Sequence, residues 1–211
     1  MMDTILQARG LTFKFQQQQV FNHFSAAIPA GMTYVVGDES SGKSTLLRLF
    51  AGDLTPQAGN ITICGISQTI NLVDNLSSYQ KHVFWVDPRS NAHDHLSPND
   101  YFAMQRRFYP TFDDALLLDL IEGLSLTDHV SKAIYMLSAG SKRKVWLAVA
   151  LASGATVTLL DEPFAALDKA SINFLIARLE NAAQNKKRTW VIADYEIPQN
   201  LTAHFTINLA T

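Results

Sequence analysis

The stretch Gly37-Asp38-Glu39-Ser40-Ser41-Gly42-Lys43-Ser44-Thr45 constrains this chain more than any other feature. It fits the pattern G-x-x-x-x-G-K-[ST] at every fixed position. Met32-Thr33-Tyr34-Val35-Val36 precedes it and reads as an apolar strand that stops abruptly at Gly37. Lys43 to Leu54 follows, with Leu46, Leu47, Leu49 and Phe50 on one side, and reads as an amphipathic helix. A strand, a glycine turn and a helix start let consecutive backbone N–H groups converge on phosphate oxygens, with the positive end of the helix behind them. Lys43 is then placed for the terminal phosphates of a nucleoside triphosphate, and the Ser44 hydroxyl for Mg²⁺. The whole stretch from Gly37 to Thr45 is the candidate nucleotide-binding segment. At its variable positions, Asp38 and Glu39, the side chains are expected to point to solvent, because carboxylates aimed at a polyanion would repel it.

A second signal lies at Val157-Thr158-Leu159-Leu160-Asp161-Glu162-Pro163. An apolar run ending in two acids puts carboxylates at the C-terminal end of a buried strand, the edge where open α/β sheets bind ligands. Asp161 is the candidate Mg²⁺ ligand, and Glu162 the candidate group that orients or deprotonates an attacking water. Together the two signals predict a P-loop nucleoside triphosphatase.

The rest of the chain fits an α/β fold. With 211 residues, 47% of them hydrophobic, it can bury one core and is too short for two ordinary domains with a linker. Strand-like runs are expected at Ile5–Phe15, Val20–Ile28, Asn60–Cys64, Val83–Val86, Trp190–Ala193 and Phe205–Leu209, with a turn over Gln16–Gln19. Helices are expected at Ser97–Phe108, Thr111–Glu122 (stopped by Gly123), Ser138–Ala152 and Lys169–Gln184. Strands alternating with helices imply a mainly parallel sheet covered on both faces. The segment from about 95 to 136 shows no strand and reads as an inserted helical subdomain. A net charge of -2 gives no global basic balance for nucleic acid. A single cysteine, Cys64, rules out an internal disulfide, and its apolar setting suggests a buried strand residue. No stretch reaches the roughly 20 apolar residues of a membrane span, and Met1-Met2-Asp3-Thr4 gives no leader signal, so a cytoplasmic protein is expected.

Leu137-Ser138-Ala139-Gly140-Ser141-Lys142-Arg143-Lys144-Val145 narrows the class. It resembles the signature of the ABC ATPases, close to L-S-G-G-Q followed by basic residues, and Ala165-Ala166-Leu167-Asp168 resembles that family's D-loop. The motif order matches as well, over about residues 5 to 209. Read for itself, Ser138 and Gly140 open a helix and offer a hydroxyl and free N–H groups at its positive end, a second phosphate site. The resemblance implies one ABC ATPase domain over 1–211, with a P-loop core at about 1–92 and 138–211, an antiparallel N-terminal β subdomain, and a helical subdomain at about 93–137. It implies ATP and Mg²⁺ as ligands and a head-to-tail dimer, with itself or a sister cassette, in which the signature closes over the partner's ATP. Phe15 falls where the family stacks an aromatic on adenine, with Phe13 as a nearby competitor. It further implies a membrane-spanning transporter partner, a place at the inner face of the membrane, and an exporter-like role. Soluble relatives that act on nucleic acid carry two cassettes or a long insert, neither of which is present.

Two positions depart from the family pattern. Where the family has a glutamine after the Val83–Val86 strand, this chain reads Asp87-Pro88-Arg89, and Asp87 is the candidate equivalent facing Mg²⁺. Where the family has a histidine at the γ-phosphate, it reads Asp194-Tyr195-Glu196. Asp194 is taken as the replacement, and an acid there repels phosphate unless it is protonated or bridged. The expectation is a slow or partner-dependent ATPase; normal hydrolysis through Glu162 and a regulatory cassette that only binds remain open. The expected docking surface lies near Trp85, Asp87, Arg89 and the Tyr101–Tyr109 helix.

Overall fold

The first strand carries a phase change in its burial. In β1 (Thr4–Phe15), Leu6 and Ala8 are buried on even positions, then Leu11 and Phe13 on odd ones. Side chains alternate strictly along a regular strand, so the switch needs an extra residue, and the pairing with β2 (Gln18–Pro29) shifts between Ala8 and Leu11. Gly10 supplies the left-handed backbone there, at φ 60. β1 also pairs antiparallel with β4 (Ala58–Ile63), which pairs with β5 (Ile66–Ser67), giving the order β2-β1-β4-β5. The computed structural model describes residues 4–68 and 78–209. Residues 1–3 of the expected leader-free start lie outside them.

The second sheet is parallel throughout. β3 (Gly31–Val36), β6 (Val83–Phe84), β7 (Val157–Asp161), β8 (Thr189–Asp194) and β9 (Phe205–Asn208) lie in the order β6-β7-β8-β3-β9. Near-continuous burial of β3, β7 and β8 is the mark of a parallel sheet. α1 (Lys43–Ala51) packs Leu46, Leu47, Leu49 and Phe50, all fully buried, into the core shared with β1 and Val35, Leu159 and Val191. Its last carbonyls are not orphaned: Gln68 Nε2 donates to Leu49 O (2.9 Å) and the buried Tyr79 hydroxyl to Phe50 O (2.6 Å).

The chain divides into two compact units. Both sheets and α1 belong to the first, Met1–Trp85 with Thr156–Glu162 and Ala183–Thr211. The second, Val86–Ala155 with Pro163–Ala182, holds α2 (Pro98–Phe108), α3 (Asp114–Gly123), α4 (Ala139–Ala152) and α5 (Lys169–Ala182). Its helix starts are closed by side chains: Ser97 accepts from Asp100 N (3.2 Å), Asp113 from Leu116 N (2.9 Å) and Ser138 from Ser141 N (3.1 Å). Tyr101, Phe102, Leu117 and Leu120 are buried, while Met104, Phe108, Leu118, Tyr135 and Met136 are exposed. Burial pushes the Tyr101 and Tyr109 phenols up.

Several expected boundaries move, each for a local reason. α1 stops at Ala51 rather than Leu54, because Gly52 turns left-handed (φ 77) and the N–H groups of Gly52, Asp53 and Leu54 fold back onto Leu49 and Arg48. The turn after β1 is Gln16-Gln17, and β2 begins at Gln18. The edge strand β6 pairs over only Val83 and Phe84. α3 begins at Asp114, after its cap, and includes Gly123; the left-handed residue that follows is Ser125 (φ 57). α5 ends at Ala182, short of Gln184. Cys64 is exposed, not buried: β4 ends at Ile63, and Cys64 sits in the turn to β5 at φ 47. Of the aromatics in the Tyr101–Tyr109 helix region, Tyr101, Phe102 and Tyr109 are core and only Phe108 is exposed.

The bulge at Gly10 is matched by Gly59 on β4. A Cβ on Gly59 (φ 89) would lie 2.5 Å from the carbonyl oxygens of Arg9 and Gly10, whereas one on Gly10 meets nothing within 4 Å. Gly59→Ala is therefore expected to lower Tm by roughly 2–10 °C, the thermal equivalent of about 1–3 kcal/mol of backbone strain. Gly10→Ala should lower it less, and thermal unfolding of the two variants checks the order.

Candidate nucleotide site

β3 delivers the chain to Gly37, where there is no room for a side chain. A Cβ there would lie 2.5 Å from Ser41 Oγ and 2.6 Å from the Leu209 carbonyl oxygen. At Gly42 (φ 97) it would lie 2.9 Å from Val20 Cγ1. Ser40 at the loop tip holds a left-handed backbone (φ 62) without being glycine, a strain of order 1–3 kcal/mol. The start of α1 has no acid in its first turn and, unlike α2, α3 and α4 with Ser97, Asp113 and Ser138, no side-chain cap. Ser41 Oγ is buried with no hydrogen-bond partner among the described residues. An uncapped helix start and an unsatisfied hydroxyl on a tight glycine loop fit an anionic ligand. Asp38 and Glu39 are exposed, as expected from their variable positions.

Lys43 is only 7% exposed. Its Nζ donates to the carbonyls of Gly37 (2.6 Å) and Asp38 (2.8 Å), closing the loop on itself. The ring of Tyr195 covers the same ammonium, its centroid 4.3 Å from Nζ. Ser44 and Thr45, half-buried, open the helix beside it.

The carboxyl edge of the parallel sheet brings the acids together with this loop. Asp161 ends β7 opposite Ala193, and Asp194 ends β8 opposite Val36, the residue before the loop. The Glu162 N–H donates to Ala193 O (2.8 Å) from a left-handed backbone (φ 45). Burial holds the Asp194 carboxyl above its usual range. The Tyr195 N–H (2.8 Å) and Lys43 act against that rise, and Asp161 and Glu196 add to it. The Tyr195 phenol is also raised, most by Glu162. Phe13 is core and Phe15 is 42% exposed, its ring meeting Phe13 edge to face at 4.8 Å.

Among the described residues no group of His, Cys, Asp and Glu could hold a metal alone. Mg²⁺ binds through few protein ligands plus substrate phosphates, so a hydroxyl and a carboxylate at a phosphate loop suit it. Ser44 and Asp161 lie in the first unit, whereas Asp87 belongs to the second, where its Oδ1 accepts from Arg89 N (2.9 Å) and Nε (3.3 Å).

The signature is also built on the second unit. A Cβ on Gly140 would lie 2.5 Å from the Ala166 carbonyl oxygen, so this glycine lets the D-loop approach; Ala166 itself is left-handed (φ 61). Asp168 caps α5, accepting from Ser171 N and Oγ (both 2.8 Å), and pairs with Lys144 (2.8 Å). Lys144, then Ser171, hold its carboxyl well below the usual range. Lys142 pairs with Asp94 at 2.6 Å.

Tyr195 is the residue that sequence reasoning passed over. The sequence pattern points to Asp194 as the group facing phosphate, yet the side chain resting on Lys43 is that of its neighbour. The one available signal was position, since Tyr195 directly follows the last residue of β8.

A phosphate loop after β3 and paired acids after β7, at one edge of a parallel sheet, define a P-loop nucleoside-triphosphate-binding protein. The ABC transporter family model matches residues 21–165, and the chain belongs to that family of ATP-hydrolysing cassettes. The cytochrome c biogenesis ATP-binding export protein CcmA of Legionella pneumophila is 28% identical over 191 residues, 90% of this chain and 92% of that one. The manganese transport system ATP-binding protein MntB of Listeria monocytogenes is 28% identical over 211 residues, covering 95% and 83%. An ABC transporter ATP-binding protein from Pyrococcus furiosus shares the fold at TM-score 0.77 and 22% identity, over 97% of this chain and 96% of that one.

Asp194 offers a pH test of this geometry. Its folded pKa lies above the unfolded one, so the folded chain binds more protons and stability falls as pH rises above about 3.9. Asp194→Asn should be more thermostable than the native protein at pH 7–8, with the difference vanishing near pH 3–4. Unfolding temperatures across pH measure it.

Proposed function

We propose that this chain binds Mg·ATP at Gly37–Thr45 and hydrolyses it to drive a separate membrane-spanning subunit. The buried Lys43, on an uncapped helix start beside the β7 acids, carries this reading. The loop amides from Gly37 to Thr45 bind the phosphates, and Lys43 exchanges its two loop carbonyls for phosphate oxygens. Ser44 and Asp161 would hold Mg²⁺. When bound, Mg²⁺ neutralises charge on the phosphates. Glu162 orients and deprotonates the water, and Asp194 stands at the edge of the reacting phosphate. Phe15 offers its exposed face to adenine.

The whole chain is read as one cassette, with a core at about 1–92 and 138–211 and a helical subdomain at about 93–137. Ser138 and Gly140 meet the ATP of a second cassette, a copy or a sister, so the working form is a dimer. No helix among the described residues is long and apolar enough to cross a membrane, so the spans are assigned to the partner and this chain to the inner membrane face. Likeness to the cytochrome c biogenesis export proteins favours export.

A second reading is a slow or regulatory cassette. It is favoured by Asp194-Tyr195 standing where the ABC resemblance calls for a histidine.

The test is phosphate release by the purified protein. Glu162→Gln is expected to lower turnover by at least about 100-fold while keeping ATP binding, and Lys43→Ala to lose binding. A native protein that binds ATP but releases no phosphate, alone or with its membrane subunits, would establish the regulatory reading instead.

A further inference from the structure

We infer that Tyr195 is a built-in competitor of the nucleotide: its ring covers the Lys43 ammonium, so a phosphate that takes Lys43 must displace it. This rests on the proposed function of the Gly37–Thr45 loop and concerns how that loop selects its ligand.

An ammonium has three N–H donors. Two of those on Lys43 are satisfied by the Gly37 and Asp38 carbonyls, within the loop itself. The Tyr195 ring covers the ammonium with its centroid 4.3 Å from Nζ, the geometry of a cation–π contact. The π-face thus supplies the negative potential that a phosphate would otherwise supply. Tyr195 is 54% exposed, follows the end of β8, and its N–H donates to the Asp194 carboxylate (2.8 Å). A buried ammonium under an exposed ring is a contact that can be exchanged at small cost.

The surrounding charge sets what can replace the ring. Glu162, Glu39, Asp194 and Asp161 all act on the phenol, Glu162 most strongly. A neutral ring can rest among those carboxylates, whereas a bare phosphate cannot unless Lys43 or a metal ion compensates its charge. Tyr195 therefore keeps Lys43 covered when no polyphosphate is present, and a polyphosphate must outbid the ring for the lysine.

The test is calorimetric titration of the full chain with ADP and with AMP-PNP in Mg²⁺ buffer, which reads binding without turnover. Tyr195→Ala removes the ring, and Tyr195→Leu keeps bulk without a π-face. Both should bind about two- to five-fold tighter than the native protein, the range of an exposed cation–π contact. Tyr195→Phe keeps the π-face and should match the native affinity. Unchanged or weaker binding by Tyr195→Ala overturns the inference, as does native-like binding by Tyr195→Leu, because bulk alone would then account for it. If the native protein binds neither nucleotide, the function assigned to the loop fails, and this inference with it. If the native protein binds, Lys43→Ala does not, and the Tyr195 variants gain nothing, only this inference fails.

Discussion

A buried ammonium organises this site. Moving a lysine charge out of water is costly unless it is well solvated by the protein. At 7% exposure Lys43 has little water left, and it recovers solvation from the Gly37 and Asp38 carbonyls and the Tyr195 ring. The same two hydrogen bonds draw the loop around the lysine. They explain why the glycines cannot be replaced: a loop wound this tightly brings Gly37 against Ser41 and Leu209 and Gly42 against Val20. The strained Ser40 belongs to the same winding.

β8 aligns the chemistry with that lysine. It lies between β7 and β3, so its end meets both the acids and the loop. Ala193 opposes Asp161 and also accepts the Glu162 N–H, and Asp194 opposes Val36. A one-residue slip in β8 would reverse which of these side chains face the edge, so fixed register in buried strands is as much a functional requirement as a structural one. The full burial of Trp190, Val191, Ile192 and Ala193 sets that register through packing.

The features legible in the sequence are those written as local patterns. The loop, the acids after an apolar run and the capped starts of α2 and α4 each depend on neighbours within a few residues, and each lies where its pattern put it. Contacts made across the fold were not legible. Cys64 reads as a strand residue until the turn at Gly65 is seen to begin one residue early. Phe13 and Phe15 could not be told apart by alternation alone, because they share one parity and the register shift that separates them falls between Phe13 and Lys14. Tyr195 meets Lys43 from 152 positions away along the chain, and no spacing rule reaches that far. The two-residue β5 is too short to carry any period.

The electrostatic balance follows from these placements. Glu39, Asp161, Glu162, Asp194 and Glu196 gather at the carboxyl edge, and Lys43 acts on Asp194 among them. Such an edge repels a bare polyphosphate, so Lys43 has to be helped by backbone amides, which do not titrate, and by a compensating cation. The uncapped start of α1 supplies the first. Asp161, a carboxylate at the end of β7, suits the second. The raised pKa of Asp194 is the trace of its burial and of this crowding: burial, with Asp161 and Glu196 nearby, makes its charge costly to keep. A carboxyl whose pKa is raised repels an anion less than an unperturbed one, which eases the conflict an acid sets up at this edge.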